Sequence, residues 1–250
     1  MDTAIIVPAR LRSERFPNKL LHPIHGKPLI LWTAERLAQE VRDIPTYFAV
    51  EDEELKGVLN EAGYQSILTG ANHQCGTDRI AEANQEIQAE HVLNVQADEP
   101  LIHGNQLQTL NELIHGPVDM ATLAFPITNE EDFFNPNCVK VALSNEGKAL
   151  YFSRSPIPFP RGMDSPIEEK WFHENACYHH IGVYAYRKSF LEEFTQLPEG
   201  HLEKVERLEQ LRALENGFQI AVGVTKNPTI GVDTPEDATK LAGILTLEGH

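Results

Sequence analysis

Short apolar runs alternate with amphipathic stretches over the first hundred residues. Buried-type strands are predicted where a short apolar run is bounded by turn-forming or charged residues. These runs lie at residues 4–7, 46–50, 66–68 and 91–95. Helical spacing of apolar positions separates them, at residues 29–41, 52–62 and from about 78 onward. Strand and helix alternate three times, which favours an α/β fold with a doubly wound, mostly parallel sheet.

The pattern changes after Met120, where strands follow one another with turns and without long helices between them. These strands are predicted at residues 120–126, 138–143, 149–153 and 178–186. We interpret residues 127–186 as an antiparallel insertion in one domain spanning residues 1–250, with residues 163–174 as a polar, mobile excursion. A helix at 202–215, a strand at 218–224 and a last helix, capped by Thr234 and beginning at Pro235, complete the prediction.

Composition narrows the function classes. The formal net charge of -16 argues against nucleic acid or anionic membranes as main partners. No apolar run approaches the roughly 20 residues of a membrane span, and the first residues lack the pattern of a signal peptide. Three widely spaced cysteines fit reduced thiols, so we expect a cytoplasmic protein. The G-x-G-x-x-G fingerprint is absent after the first strand, so the fold should be Rossmann-like without a dinucleotide site.

Polar residues follow the predicted strand at 91–95 abruptly. Asp98 and Glu99 lie at its carboxyl end, where open α/β sheets bind ligands. A buried acidic pair needs a cation or ligand, so Asp98 is a candidate magnesium ligand and Gln96 a candidate substrate contact. The alternative is that Asp98 and Glu99 only cap the next helix, which is predicted to begin near His103.

A basic cluster follows the first strand. Four of the 21 basic residues fall within ten positions, at Arg10, Arg12, Arg15 and Lys19. In so acidic a chain this cluster indicates an anion site, with phosphate as the favoured ligand and a solvated surface loop as the alternative. Residues 69–79 form a small polar loop leading into a helix, and such a loop either binds phosphate or a base or is an ordinary connection.

Together these motifs resemble the CMP-Kdo synthetases, the 3-deoxy-manno-octulosonate cytidylyltransferases. The opening motif is Ile-Val-Pro-Ala-Arg at 6–10, with Ser13, Arg-Phe-Pro at 15–17 and Lys19. The remaining motifs lie in order at residues 73–79, 94–100, 134–136, 149–154, 180–184, 208–212 and 231–237. Ordered matches over nearly the whole chain are far more specific than any one of them.

The resemblance implies a nucleotidyltransferase fold, a reaction and its ligands. The anomeric hydroxyl of Kdo (3-deoxy-manno-octulosonate) would attack the α-phosphate of CTP, giving CMP-Kdo for lipopolysaccharide synthesis and pyrophosphate, with Mg²⁺ as cofactor. It also implies a homodimer, and the antiparallel insertion is the expected contact surface and part of the sugar site. A related sugar acid, such as amino-Kdo or a sialic acid, is an alternative substrate.

The resemblance also implies a role for individual residues. Those expected at the nucleotide are Ala9, Arg10, Ser13, Lys19, Cys75, Gly76, Arg79 and Asp98. Those expected at the sugar acid are Gln96, Arg161, His180, Tyr184, Glu209 and Gln210. Asp98 and Asp233 would hold Mg²⁺, and these two with Arg10 and Lys19 would be catalytic.

Each of these roles has a structural alternative. Asp233 could only cap the last helix, and His180 could be a satisfied core histidine. Glu209 and Gln210 could belong to the polar face of a helix, and Arg161 could be a surface arginine.

Four positions depart from the family pattern. Leu11 stands for the usual Tyr, Asn18 and Ala97 for Gly, and Cys75 for Ser. Asn18 can adopt a left-handed backbone, whereas Ala97 cannot do so without strain. A nucleotide-binding protein that has lost catalysis is therefore the alternative from another function class.

Overall fold

The computed structural model describes residues 1–13, 15–73, 75–162 and 166–248. Its strands are β1 Thr3–Ala9, β2 Pro23–Ile24, β3 Lys27–Pro28, β4 Thr46–Val50, β5 Gln65–Leu68, β6 His91–Asn94, β7 Met120–Pro126, β8 Lys140–Leu143, β9 Ala149–Ser153, β10 Tyr178–Arg187 and β11 Ile220–Val224. Its α-helices are α1 Leu29–Glu40, α2 Glu53–Glu61, α3 Gly76–Ile87, α4 Gly104–Ile114, α5 Glu130–Phe134, α6 Glu169–Glu174, α7 Lys188–Phe194, α8 His201–Glu206, α9 Leu211–Glu215 and α10 Pro235–Glu248. The predicted mixed α/β fold with a mainly parallel sheet and added antiparallel strands is confirmed.

The chain divides into two compact units. The first comprises Met1–Gln108 and the segment from Thr229 onward, and the second is Thr109–Pro228. In the first unit the parallel strands have the order β6-β1-β4-β5. Because β4 and β5 lie on one side of β1 and β6 lies on the other, the strand order reverses between β1 and β6. A reversal of this kind opens a crevice at the carboxyl ends of the two strands.

Local sequence signals account for the starts of two helices in this unit, α2 and α10. The Asp52 carboxylate accepts a hydrogen bond from the Leu55 backbone N–H at 2.8 Å and so caps α2. The predicted start of α10 is confirmed. The Thr234 hydroxyl accepts from the Asp237 N–H at 3.3 Å, while the Asp237 carboxylate accepts from the Thr234 N–H at 3.0 Å. This reciprocal cap fixes the backbone immediately after Asp233.

The second unit contains the antiparallel strands. β11 runs parallel to β7, β10 pairs antiparallel with both β7 and β8, and β9 returns antiparallel along β8. A separate apolar cluster in this unit includes Phe133 of α5 and Phe172 of α6. The pairing of β7 with β10 begins at Met120, before the predicted insertion. The boundaries 127–186 and the single-domain assignment stay predictions.

The structure differs from the predicted local structure in two places. The helix expected at 202–215 is two helices, α8 and α9, because Arg207 adopts a left-handed backbone with φ of 54° between them. Residues 169–174 form α6 with Phe172 buried, so this part of the expected polar excursion is helical, and its mobility stays a prediction. Residues 163–165 of that prediction lie outside the described residues.

Candidate active site

A cavity of about 950 Å³ lies in the first unit, beyond the carboxyl ends of β1 and β6. Its volume suits a nucleotide-sized ligand. The cavity is lined by every nucleotide- and metal-site residue predicted in this unit, together with the predicted substrate contact. These residues are Ala9, Arg10, Ser13, Lys19, Cys75, Gly76, Arg79, Gln96, Asp98 and Asp233.

The segment after β1 carries the basic residues along one wall of the cavity. Phe16 and Leu20 are buried and anchor the segment, whereas Arg10 and Arg12 are exposed. Asn18 adopts the left-handed conformation expected for it, with φ of 55°, and precedes a short 3-10 helix at Lys19–Leu21. The anchored backbone therefore presents Lys19 to the cavity while the arginines remain open to solvent.

The segment after β6 supplies the acidic wall. The Ala97 carbonyl accepts a hydrogen bond from the Thr33 hydroxyl at 2.8 Å, and the Asp98 carbonyl accepts from the Val232 N–H at 3.0 Å. Among the described residues, the non-glycine residues with left-handed φ are Asn18, His25, Gln88 and Arg207. Ala97 thus has an ordinary backbone, and its methyl group causes no left-handed strain.

Asp98 and Asp233 converge on one cation within the protein. The Lys19 ammonium contacts Asp98 Oδ2 directly and lies 3.0 Å from Asp233 Oδ1, while Arg15 Nη2 lies 2.9 Å from Asp233 Oδ2. Desolvation lowers the pKa of Lys19, but the two carboxylates outweigh it and raise the pKa above its ordinary value. Lys19 is therefore charged at neutral pH, and with Arg15 it offsets the negative charge of the two carboxylates.

Glu99 is a buried carboxyl group behind this pair. Burial, with the nearby negative charge of Asp98, raises the pKa of Glu99 to about 8, so it is mostly protonated at neutral pH. The Asp98 carboxylate contacts Lys19, so Asp98 does not act only as a cap of the next helix. Sequence reasoning placed Glu99 in the acidic pair and Arg15 in the basic cluster, but it assigned neither residue a role of its own at the site.

A third wall is the loop between β5 and α3, which two α3 side chains hold. Arg79 Nη1 donates to Thr69 Oγ1 at 2.7 Å and its Nη2 lies 3.0 Å from Glu51 Oε2. The Glu82 carboxylate accepts from the Gly70 N–H at 3.0 Å and also contacts His73 Nε2. The hydrogen bond from His73 lowers the pKa of Glu82.

These contacts concern the predicted role of Arg79. Arg79 is buried and its described contacts are within the protein, so it shapes the wall that Cys75 and Gly76 complete. Any direct contact of Arg79 with the base stays a prediction. Sequence reasoning missed His73 and Glu82, although both stand at or after the recognised motif at 73–79.

The other predicted sugar-acid residues lie in the second unit. His180 is buried, with Nε2 3.0 Å from Thr122 Oγ1 and its ring against Phe152. The Thr122 hydroxyl lies 2.8 Å from the Val183 carbonyl, so it can donate there and accept from His180. Burial lowers the pKa of His180 to about 3, which leaves the ring neutral. These contacts match the core-histidine alternative.

The remaining residues of this set differ in exposure. Desolvation, followed by the negative charge of Glu209, raises the pKa of the Tyr184 phenol. Gln210 is buried, and its Nε2 has no hydrogen-bond partner among the described residues. Arg161 is exposed, next to the part of the chain that is not described.

Comparison with known proteins identifies the family. A sequence model described as cytidylyltransferase matches residues 4–220. The 3-deoxy-manno-octulosonate cytidylyltransferases of Parabacteroides distasonis and Geobacter sulfurreducens are each 42% identical to this chain, covering 96% of it and 96% and 98% of their own lengths. The chain belongs to the 3-deoxy-manno-octulosonate cytidylyltransferase family.

Solved structures agree with this assignment. A structure of CMP:2-keto-3-deoxy-manno-octonic acid synthetase complexed with CTP has a TM-score of 0.90, 34% identity and coverage of 99% of this chain and 100% of its own. A cytidylyltransferase from Leptospira borgpetersenii, at 15% identity and a TM-score of 0.63, shares the fold. The recognition made from the ordered motifs is therefore confirmed.

The acidic pair of this cytidylyltransferase fits a hard divalent cation. Carboxylate oxygens are the ligands that Mg²⁺ prefers, and Asp98 and Asp233 both contact the Lys19 ammonium.

No helix in the described part of the chain combines the length and apolar character needed to cross a membrane.

Proposed function

We propose that this cytidylyltransferase transfers CMP from CTP to the anomeric hydroxyl of 3-deoxy-manno-octulosonate. The observation that carries the proposal is a nucleotide-sized cavity in which the basic segment after β1 faces Asp98 and Asp233. The Kdo specificity is supported by relatives of that name along nearly the full chain.

The reaction is a displacement at phosphorus. The anomeric oxygen forms a bond to the α-phosphorus of CTP, the bond from that phosphorus to the bridging oxygen breaks, and pyrophosphate leaves. The hydroxyl proton passes to solvent or to a basic group. Negative charge accumulates on the leaving pyrophosphate, so positioning and charge neutralisation supply most of the rate enhancement.

Residues of the first unit suit these tasks. Arg10 and Ser13 line the cavity and can bind phosphate oxygens, and Lys19 can move positive charge onto the triphosphate. The wall formed by Cys75 and Gly76 is the proposed position of the cytosine base. The Gly76 position is close-packed, since a Cβ there would lie 3.3 Å from the Pro8 ring.

Asp98 and Asp233 would hold Mg²⁺. When bound, Mg²⁺ supplies charge neutralisation at the phosphate oxygens. The carboxylates contribute by holding that charge at the end of β6, where their backbones are fixed by the Val232–Asp98 hydrogen bond and the α10 cap.

Turnover tests the proposal directly. Pyrophosphate release should require CTP, Kdo and Mg²⁺ together, and Asp98→Asn and Asp233→Asn should each reduce kcat by at least about a hundredfold. Asp43→Asn, which alters an exposed carboxylate outside the cavity, should match the wild type. A fully active Asp98→Asn at saturating Mg²⁺ would remove that residue from the proposed metal site.

Two alternative functions can be tested with the same purified protein. A substrate panel of Kdo, its amino analogue and sialic acid determines which acid is preferred, since one altered contact can change specificity for such analogues. Calorimetric binding of CTP without product from any of these acids would instead identify a nucleotide-binding protein without catalysis.

A further inference from the structure

The carboxylates of Asp98 and Asp233 are held near each other by backbone contacts that do not involve Lys19. Asp98 follows β6, and its carbonyl accepts from Val232, the residue immediately before Asp233. The cap of α10 then fixes the other side of Asp233, whose N–H lies 3.3 Å from Asp237 Oδ2. Two carboxylates held close together repel each other, and a positive charge between them relieves that repulsion.

Lys19 supplies the positive charge that the two carboxylates share, whereas the exposed Arg15 pairs with Asp233 alone. The Lys19 side chain is 14% exposed and bridges Asp98 Oδ2 and Asp233 Oδ1. Its backbone is held by the left-handed Asn18 and the buried Leu20. A lysine side chain has four rotatable bonds beyond that fixed backbone, so the ammonium can move without moving the segment.

The same ammonium lies in the cavity proposed for the triphosphate. It cannot share a position between two carboxylates with a second, divalent cation, because the two positive charges would repel each other at short range. The acidic pair therefore has two competing partners, and a triphosphate is an alternative anion for Lys19.

We propose that Lys19 is a displaceable internal cation that occupies the divalent-ion position between Asp98 and Asp233 until the CTP triphosphate draws it away. The inference rests on the proposed function and deepens it. The free enzyme binds the divalent ion weakly because Lys19 occupies its position. When the triphosphate draws Lys19 away, the two carboxylates become available to the metal ion. When the metal ion binds the carboxylates, Lys19 becomes available to the triphosphate, so nucleotide and metal binding reinforce each other. By linkage the reinforcement is reciprocal.

Metal binding to the nucleotide-free protein is the primary test. Mn²⁺ binding would be measured by electron paramagnetic resonance for the wild type and Lys19→Met. Arg12→Met is the charge-matched control, because Arg12 lines the same cavity and is exposed. Lys19→Met should bind Mn²⁺ roughly tenfold or more tightly than the wild type, whereas Arg12→Met should change the affinity only slightly. Adding Asp233→Asn to Lys19→Met should abolish the gain.

A second measurement uses the unaltered protein and so does not depend on how Lys19→Met folds. Displaced Lys19 becomes more accessible, so Mn²⁺ should increase its rate of acylation by an N-hydroxysuccinimide ester, measured peptide by peptide. Lys27, which pairs with Glu35, is the internal reference.

The inference is overturned if Lys19→Met binds Mn²⁺ no more tightly than the wild type, or if Mn²⁺ protects Lys19 from acylation. Mg²⁺-dependent turnover by the wild type would then leave the proposed function standing. Absence of that turnover would defeat the proposed function separately.

Discussion

Arg79 offers the sharpest test of how the wall of the nucleotide cavity is built. Arg79 is 2% exposed, its guanidinium binds Glu51, Thr69 and the Gly70 carbonyl, and the Glu51 side chain is 14% exposed. Arg79→Met keeps the apolar stem and removes the charge. Glu51 is then left buried beside an apolar group.

The expected loss follows from that burial. Breaking a buried ion pair on one side costs about 3–5 kcal/mol, because the remaining charge is uncompensated. For a chain of this size each kcal/mol lowers the melting temperature by about 2–4 °C, so Arg79→Met should melt roughly 6–20 °C below the wild type. The loop at 69–73 loses its anchor as well, so the KM for CTP should rise while that for the sugar acid changes little.

A double-mutant cycle separates the free energy of the Arg79–Glu51 ion pair from that of side-chain packing. Urea unfolding would be measured for Arg79→Met, Glu51→Gln and the double variant, with Arg15→Met as a control. Arg15 also pairs with a carboxylate, but its side chain is 66% exposed, so its loss should leave the unfolding free energy nearly unchanged. The double variant should be more stable than Arg79→Met alone. Strict additivity, or an Arg79→Met as stable as Arg15→Met, would refute the reasoning.

Three further predictions concern the second unit. Since His180 has a pKa of about 3 when folded, the unfolded chain takes up a proton below pH 6.5 that the native state does not. The stability advantage of wild type over His180→Gln should therefore shrink by roughly 2 kcal/mol between pH 7 and pH 5 in urea unfolding, and an unchanged difference would contradict a buried neutral ring. If the Arg161 guanidinium pairs with the sugar carboxylate through two hydrogen bonds, Arg161→Lys should raise the KM for the sugar acid roughly ten- to hundredfold and leave the KM for CTP unchanged. A variant with the same KM values as the wild type would show that Arg161 is a surface residue. Light scattering at micromolar concentration should give a homodimer, and a monomer would contradict that expectation.

Much of the fold was readable from apolar periodicity. The bounds predicted at 46–50, 120–126 and 149–153 match β4, β7 and β9. The break between α8 and α9 was not readable, because Arg207 is neither glycine nor proline and apolar residues continue with helical spacing beyond it. Short helices such as α5 and α7 also gave too few turns for a periodic signal.

The candidate site was predictable where strand ends carry polar residues. The segments after β1 and β6 meet because parallel strands place their carboxyl ends at one edge of the sheet. The position of Asp233 came only from the family resemblance, since no local pattern links it to Asp98. The contacts by which Arg79 and Glu82 hold the loop between β5 and α3 could not be predicted, because charged residues on a helix ordinarily face solvent.

The division of the first unit along the chain has a consequence for biosynthesis. Asp98 emerges from the ribosome before the roughly 120 residues of the second unit, and Asp233 emerges after them. At about 5–20 residues per second this delay is about 6–24 s. During it, the apolar surface that Leu241 and Leu245 of α10 later cover stays open to chaperones and to other nascent chains. Translational pauses between residues 109 and 228 would lengthen that exposure.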